Sequence, residues 1–146
     1  MEKVSDALSR RYPQFNTISQ FAWVSDALYK MSCENVEFLI AMEDDRFQGV
    51  ITEHDIAAKV LFDDRPLNKI RVKEFMTRTL PVATSDNSLE YCLELMEKYG
   101  AKHIVIFDDF DFKGVISAHD LAQRMLAQNK TLSSVEDEMP AYPLYY

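Results

Sequence analysis

A thirteen-residue stretch occurs twice in the chain, and this duplication restricts the possible folds more than any other feature. Gly49-Val-Ile-Thr-Glu-His-Asp-Ile-Ala-Ala-Lys-Val-Leu61 returns 65 positions later as Gly114-Val-Ile-Ser-Ala-His-Asp-Leu-Ala-Gln-Arg-Met-Leu126. The register continues upstream without a gap: Leu28 matches Leu93, Met31 matches Met96, Asp44 matches Asp109 and Phe47 matches Phe112. In each copy two apolar β-formers follow a glycine, a Thr or Ser comes next, an Asp stands three residues on, and a helical apolar period begins. That is a strand turning directly into a helix. Two copies are too few for a solenoid, so two half-modules packed on each other is the economical reading.

Taken in order, residues 1–12 predict a short amphipathic helix with Val4, Leu8 and Tyr12 on one side, ended by Pro13. Residues 15–19 predict a strand, and a helix with capping chemistry at its start follows from Val24. Val36–Met42 reads as an apolar strand returning through an acidic turn into the strand Phe47–Ile51. The helix after Thr52 is expected to bury Ile56, Val60 and Leu61. Residues 67–80 form a connector with a helical turn at Val72–Met76, after which the second copy repeats the order. The predicted class is α+β: two pseudo-symmetric β-α-β-β-α repeats packed through their sheets, with a short N-terminal helix. The expected boundaries are 1–66 for the first repeat with that helix, 67–127 for connector and second repeat, and 128–146 for a tail rich in Pro and Tyr that docks on the body or a second protomer, or stays loose.

At 146 residues and 47% hydrophobic, the chain can bury one core or two fused half-cores. No apolar run approaches the roughly 18 residues of a spanning helix, and no secretory signal pattern is present at the start, so a cytoplasmic protein with no membrane contact is expected. Cys33 and Cys92 lack metal-ligand spacing and read as small core residues. A net charge of −8 with no basic stripe argues against nucleic acid as a partner. With three glycines there is no glycine-rich phosphate loop, and no nucleophile stands beside a base, so no enzyme is expected.

The two Gly-Val-Ile-Thr/Ser-x-x-Asp segments, the connector Val72-Lys-Glu-Phe-Met-Thr-Arg78, the opening Leu80-Pro-Val-Ala-Thr-Ser-Asp-Asn-Ser-Leu89 and the helix end Leu95-Met-Glu-Lys-Tyr-Gly100 together resemble a CBS-domain pair, or Bateman module, over residues 14–127. The resemblance implies two clefts related by a pseudo-twofold axis, dimerisation into a disc, and binding of an adenine nucleotide (AMP, ADP, ATP or NAD) or S-adenosylmethionine as a regulatory ligand, no cofactor being required. It assigns the ribose to Asp55 and Asp120, and phosphate or ribose oxygen to Thr52 and Ser117. His54 and His119 stand where many members carry Arg; Lys59 and Arg124, a turn further on, become possible phosphate partners. The first strands supply adenine-reading backbone at Thr17, Ile18 and Val82, and Phe38 and His103 wall the pockets, with Phe38 bulky enough to fill its own. The family's frequent Pro in the second strand is replaced by Ile40 and Val105, and the hairpin glycine by acids.

A plainer account of the motifs exists. Thr52-x-x-Asp55 and Ser117-x-x-Asp120 have the spacing of a capping box, which needs no ligand. Two functions therefore follow: a ligand-sensing regulatory module, homodimeric and signalling to a separate effector protein, or a ligand-free interaction scaffold.

Overall fold

The computed structural model describes residues 2–9 and 16–129. The expected Tyr12, Phe15 and tail positions lie outside them. The elements run α1 (Val4–Ser9), β1 (Thr17–Ser19), α2 (Val24–Glu34), β2 (Phe38–Glu43), β3 (Arg46–Thr52), α3 (Glu53–Val60), α4 (Val72–Phe75), β4 (Val82–Ala83), α5 (Leu89–Tyr99), β5 (His103–Asp108), β6 (Asp111–Ser117) and α6 (Ala118–Asn129), with a 3-10 turn at Leu67–Lys69. Two three-stranded sheets result, ordered β1-β2-β3 and β4-β5-β6. In each, the short first strand pairs parallel to the second, and the hairpin supplies the antiparallel pair. The duplication extends to irregularities: β2 shifts register between Ala41 and Met42, and β5 between Ile106 and Phe107.

The central strands are apolar on both faces because each is covered twice. Leu39, Ala41 and Ile51 face the helices of the first half, and Ile104, Ile106 and Ile116 those of the second. The opposite faces meet between the sheets, where Phe38, Ile40, Val50, Val105 and Val115 form a third core, flanked by Phe47, Phe107 and Phe112. Phe47 stacks on Phe112 at a centroid distance of 5.0 Å, and Phe107 stands edge-on to both. Ile40 and Val105 show why this chain has no proline here. Their amides donate to Asn16 O at 2.6 Å and Pro81 O at 3.0 Å, bonds a proline nitrogen cannot make.

The leading helices are exchanged between the halves. Ahead of the second repeat, α4 packs on the first: Val72 N donates to Ala22 O (2.8 Å) and Lys73 N to Gln20 O (2.9 Å). Ahead of the first repeat, α1 packs on the second: Val4 N donates to Asn87 O (2.9 Å) and Ser5 N to Ser85 O (2.9 Å). Val72 and Phe75 thus complete the first core, and Val4 the second. Both helices start with the same local lock, Arg71 N on Glu74 Oε2 (2.8 Å) and Lys3 N on Asp6 Oδ2 (3.1 Å). The boundary drawn at residue 66 divides the sequence, while the packing crosses it in both directions.

Several local expectations are corrected. Leu61 is 80% exposed and Val60 is exposed as well, so that of the three Ile56 alone is buried. Cys33 is exposed, whereas Cys92 is buried and its thiol is pushed up to about 11 by desolvation. No side chain caps α2: Trp23 occupies the cap position, and the Val24 amide is taken by Ile70 O at 2.8 Å. Asp108 closes β5 at the second hairpin. It accepts from Ser85 N (2.9 Å) and Ser85 Oγ (2.5 Å), bonds that hold its carboxyl below the usual range.

Candidate functional site

Each repeat ends its last strand on a hydroxyl residue that also starts the next helix. Thr52 closes β3 and caps α3: Asp55 N donates to Thr52 Oγ1 at 2.9 Å, and Thr52 N to Asp55 Oδ2 at 3.2 Å. Ser117 closes β6 and does the same for α6, with Asp120 N to Ser117 Oγ and Ser117 N to Asp120 Oδ2 both at 3.1 Å. The capping box is therefore formed in both copies. It uses one acceptor position of each hydroxyl and leaves the hydroxyl its own proton to donate. At Asp55 the bonds from Thr52 N and Thr77 Oγ1 (3.5 Å) both end on Oδ2, and Oδ1 takes part in neither.

Both motifs open into one cleft of about 720 Å³. Thr52, His54 and Asp55 border it from the first half, and His103, Ser117 and His119 from the second. Asp120 is held by Ser117 in its capping box and is not among the residues that border this cleft. Thr17, Ile18 and Val82 are also away from it: Thr17 O accepts from Lys30 Nζ, Ile18 packs on the first core, and Val82 is 53% exposed. Phe38 is buried between the sheets rather than filling a pocket of its own, with its ring edge-on to His103 at 4.8 Å.

Arg124 stands elsewhere. Its Nη2 donates to Asp6 O at 3.0 Å and pairs with Glu2 Oε1 at 2.7 Å, with the two side chains 18% and 16% exposed. Lys59, its repeat mate, likewise donates to Phe75 O. The two cations hold the exchanged helices in place, one each. Arg124→Met is accordingly expected to cost about 1–2 kcal/mol in urea unfolding, less than a fully buried pair, and to speed amide exchange at Val4 and Ser5. Exchange that stays slow at both amides would show that α1 does not depend on this anchor.

Sequence reasoning missed several cleft residues, Glu37, Lys102 and Thr77 among them. Glu37 and Lys102 are repeat mates directly before Phe38 and His103, a signal present in the 65-residue register. Thr77 follows the connector motif and reaches the cleft because its backbone pairs with Val50, Thr77 N to Val50 O at 2.8 Å and Val50 N to Thr77 O at 2.9 Å. The wall thus carries Glu37, Glu53 and Asp55 against Lys102. His103 Nε2 is buried without a hydrogen-bond partner among the described residues. Burial pushes this imidazole below the ordinary histidine range, Glu37 and Asp55 pulling the other way and Lys102 adding to the fall. The His103 ring thus borders the cleft while its Nε2 is turned out of solvent reach, and burial disfavours its charged form.

Comparison with known proteins agrees with this architecture. The family model of the CBS domain matches residues 72–127. The CBS domain-containing protein YhcV of Bacillus subtilis is 24% identical over 92% of this chain and 94% of its own length. An uncharacterized protein of Methanocaldococcus jannaschii is 33% identical over 49% of this chain, a match that spans only 39% of that relative. Among solved structures, the CBS domain of NE2398 superposes with a TM-score of 0.78 at 28% identity, covering 86% of this chain and 99% of that one. The CBS domain pair of MJ0100, solved with 5′-methylthioadenosine and S-adenosyl-L-methionine, gives 0.73 at 22% identity, covering 88% and 98%. A CBS domain protein of Pyrobaculum aerophilum complexed with AMP gives 0.71 at 16% identity, covering 89% and 99%. Residues 72–127 thus match the CBS domain, the first half repeats their strand order, register shift and motif, and the chain has the fold of solved CBS-domain proteins.

Proposed function

We propose that the chain is a non-catalytic regulatory module of the cytoplasm, homodimeric, whose cleft takes an adenosyl ligand and whose response is passed to a separate effector protein. One observation carries the reading: hydroxyl and histidine side chains from both halves border a single cleft of about 720 Å³, within the range of small-molecule sites. A ligand there touches both halves at once, so its binding energy can alter how they sit together. The AMP complex of the Pyrobaculum aerophilum protein and the S-adenosylmethionine complex of MJ0100 support an adenosyl ligand. In this reading Thr52 and Ser117 donate to ribose or phosphate oxygen, Asp55 Oδ1 accepts from a ribose hydroxyl, and the His103 ring packs on the ligand's uncharged part. Asp120 acts through Ser117, which it positions.

Thermal unfolding against AMP, ADP, ATP, NAD and S-adenosylmethionine tests it. A ligand at a hundred times its dissociation constant should add about 2.7 kcal/mol of stability. Asp120→Ala is expected to cost about 1 kcal/mol of stability and to shrink that gain. The second reading, a ligand-free scaffold, is favoured by one specific observation: the capping boxes already engage the hydroxyl and the acid in both copies. A midpoint unmoved by all five ligands would select it.

A further inference from the structure

All three histidines of the chain border one cleft, although they come from α3, β5 and α6. His54 and His119 are repeat mates in the first turns of α3 and α6, and both rings are exposed, so core packing does not account for them. We propose that His54 and His119 hold the phosphate of an adenosyl ligand as imidazolium ions, so that the cleft fills with a proton as well as a nucleotide. The proposal rests on the adenosyl reading above and adds to it the phosphate partner and its coupling to pH.

The charge on the wall leads to this conclusion. The other ionisable groups lining the cleft are Glu37, Glu53, Asp55, Tyr99, Lys102 and His103, from both halves. Three carboxylates face one ammonium, and the protein as a whole carries −8, so with neutral imidazoles a phosphate meets a repulsive field. Two imidazolium ions remove that repulsion and supply charge-assisted donors of the kind phosphates prefer. Histidine is the side chain whose charge changes in this range of pH. His103 differs from the other two in being largely buried, and burial disfavours its charged form. An uncharged ligand such as adenosine gains nothing from the imidazolium form, and this separates the proposal from a general effect of pH on the cleft.

Isothermal titration of the full chain with AMP and with adenosine, at pH 6.5 and 8.0 and in two buffers of different ionisation heat, tests it. The range stays above the second ionisation of the AMP phosphate near pH 6, which would act in the opposite direction. AMP is expected to bind about tenfold more tightly at pH 6.5, with uptake of about one proton, while adenosine changes less than about twofold. The double variant His54→Gln, His119→Gln should lose the AMP dependence yet keep adenosine binding, which also reports that it is folded. AMP affinity independent of pH, or a dependence that survives in the double variant, would overturn the inference and leave the adenosyl reading standing. Failure of both ligands to bind at either pH would overturn the inference, and the adenosyl reading with it once ADP, ATP, NAD and S-adenosylmethionine also leave the thermal midpoint unmoved.

Discussion

Gly49→Ala is expected to lower stability by about 2–4 kcal/mol, seen as a fall in the urea midpoint. A Cβ at this position would stand 2.7 Å from the Thr77 carbonyl oxygen and 3.1 Å and 3.2 Å from Met76 Sδ and Cγ. Met76 is a flexible side chain and can yield. The Thr77 backbone cannot, because its amide and carbonyl are both bonded to Val50, and moving it opens that pair. Met76 is itself part of the first core, so displacement of the connector also unseals apolar surface. The effect should reach the cleft, since Thr77 Oγ1 lies against Asp55, and any ligand-induced thermal shift should shrink with it. Gly100→Ala is the control. Gly100 has φ +60 with nothing within 4 Å of the added carbon, so only left-handed strain of about 1–2 kcal/mol is expected. Equal costs at the two positions would show that close approach of the connector is not what Gly49 permits.

Val115→Asp is expected to be more damaging, by more than about 4 kcal/mol, leaving the chain largely unfolded at room temperature. Val115 is fully buried between the sheets among Phe38, Ile40, Val50 and Val105. No cation is part of this core, so a carboxylate there loses its hydration without a partner. Val115→Thr keeps the shape and adds one hydroxyl, and should cost about 1–3 kcal/mol. Circular dichroism during urea titration reads both. A Val115→Asp chain with a midpoint near that of the parent would mean that the two sheets do not share a core.

What the sequence revealed divides along physical lines. The capping boxes at Thr52 and Ser117, the hairpins and the helix faces are local, and local chemistry spells them out within a few residues. The duplication was legible because its 65-residue register is unbroken from Val24 to Leu126. The exchange of leading helices was not, because Lys3-Val4-Ser5-Asp6 matches Arg71-Val72-Lys73-Glu74 at a different offset and shares only the valine. Lys59 and Arg124 illustrate the same limit at the site. A cation one turn into a helix reads alike whether it meets a phosphate or the carbonyl of a neighbouring segment, and only the tertiary arrangement places Arg124 on Glu2 and Asp6. Phe38 was correctly paired with His103 by register, but which side of a strand becomes a pocket wall and which a sheet-to-sheet contact depends on the partner sheet.

The crossing of α1 and α4 bears on how such a protein arose. An unduplicated ancestor carrying one leading helix and one sheet could not have closed its own interior with that helix in this geometry. It would have had to trade the helix with a second molecule, as domain-swapped dimers do. Joining two such molecules end to end fixes the trade within one chain and removes its dependence on concentration. Each copy is then free to change its side of the shared cleft while the other keeps the module closed.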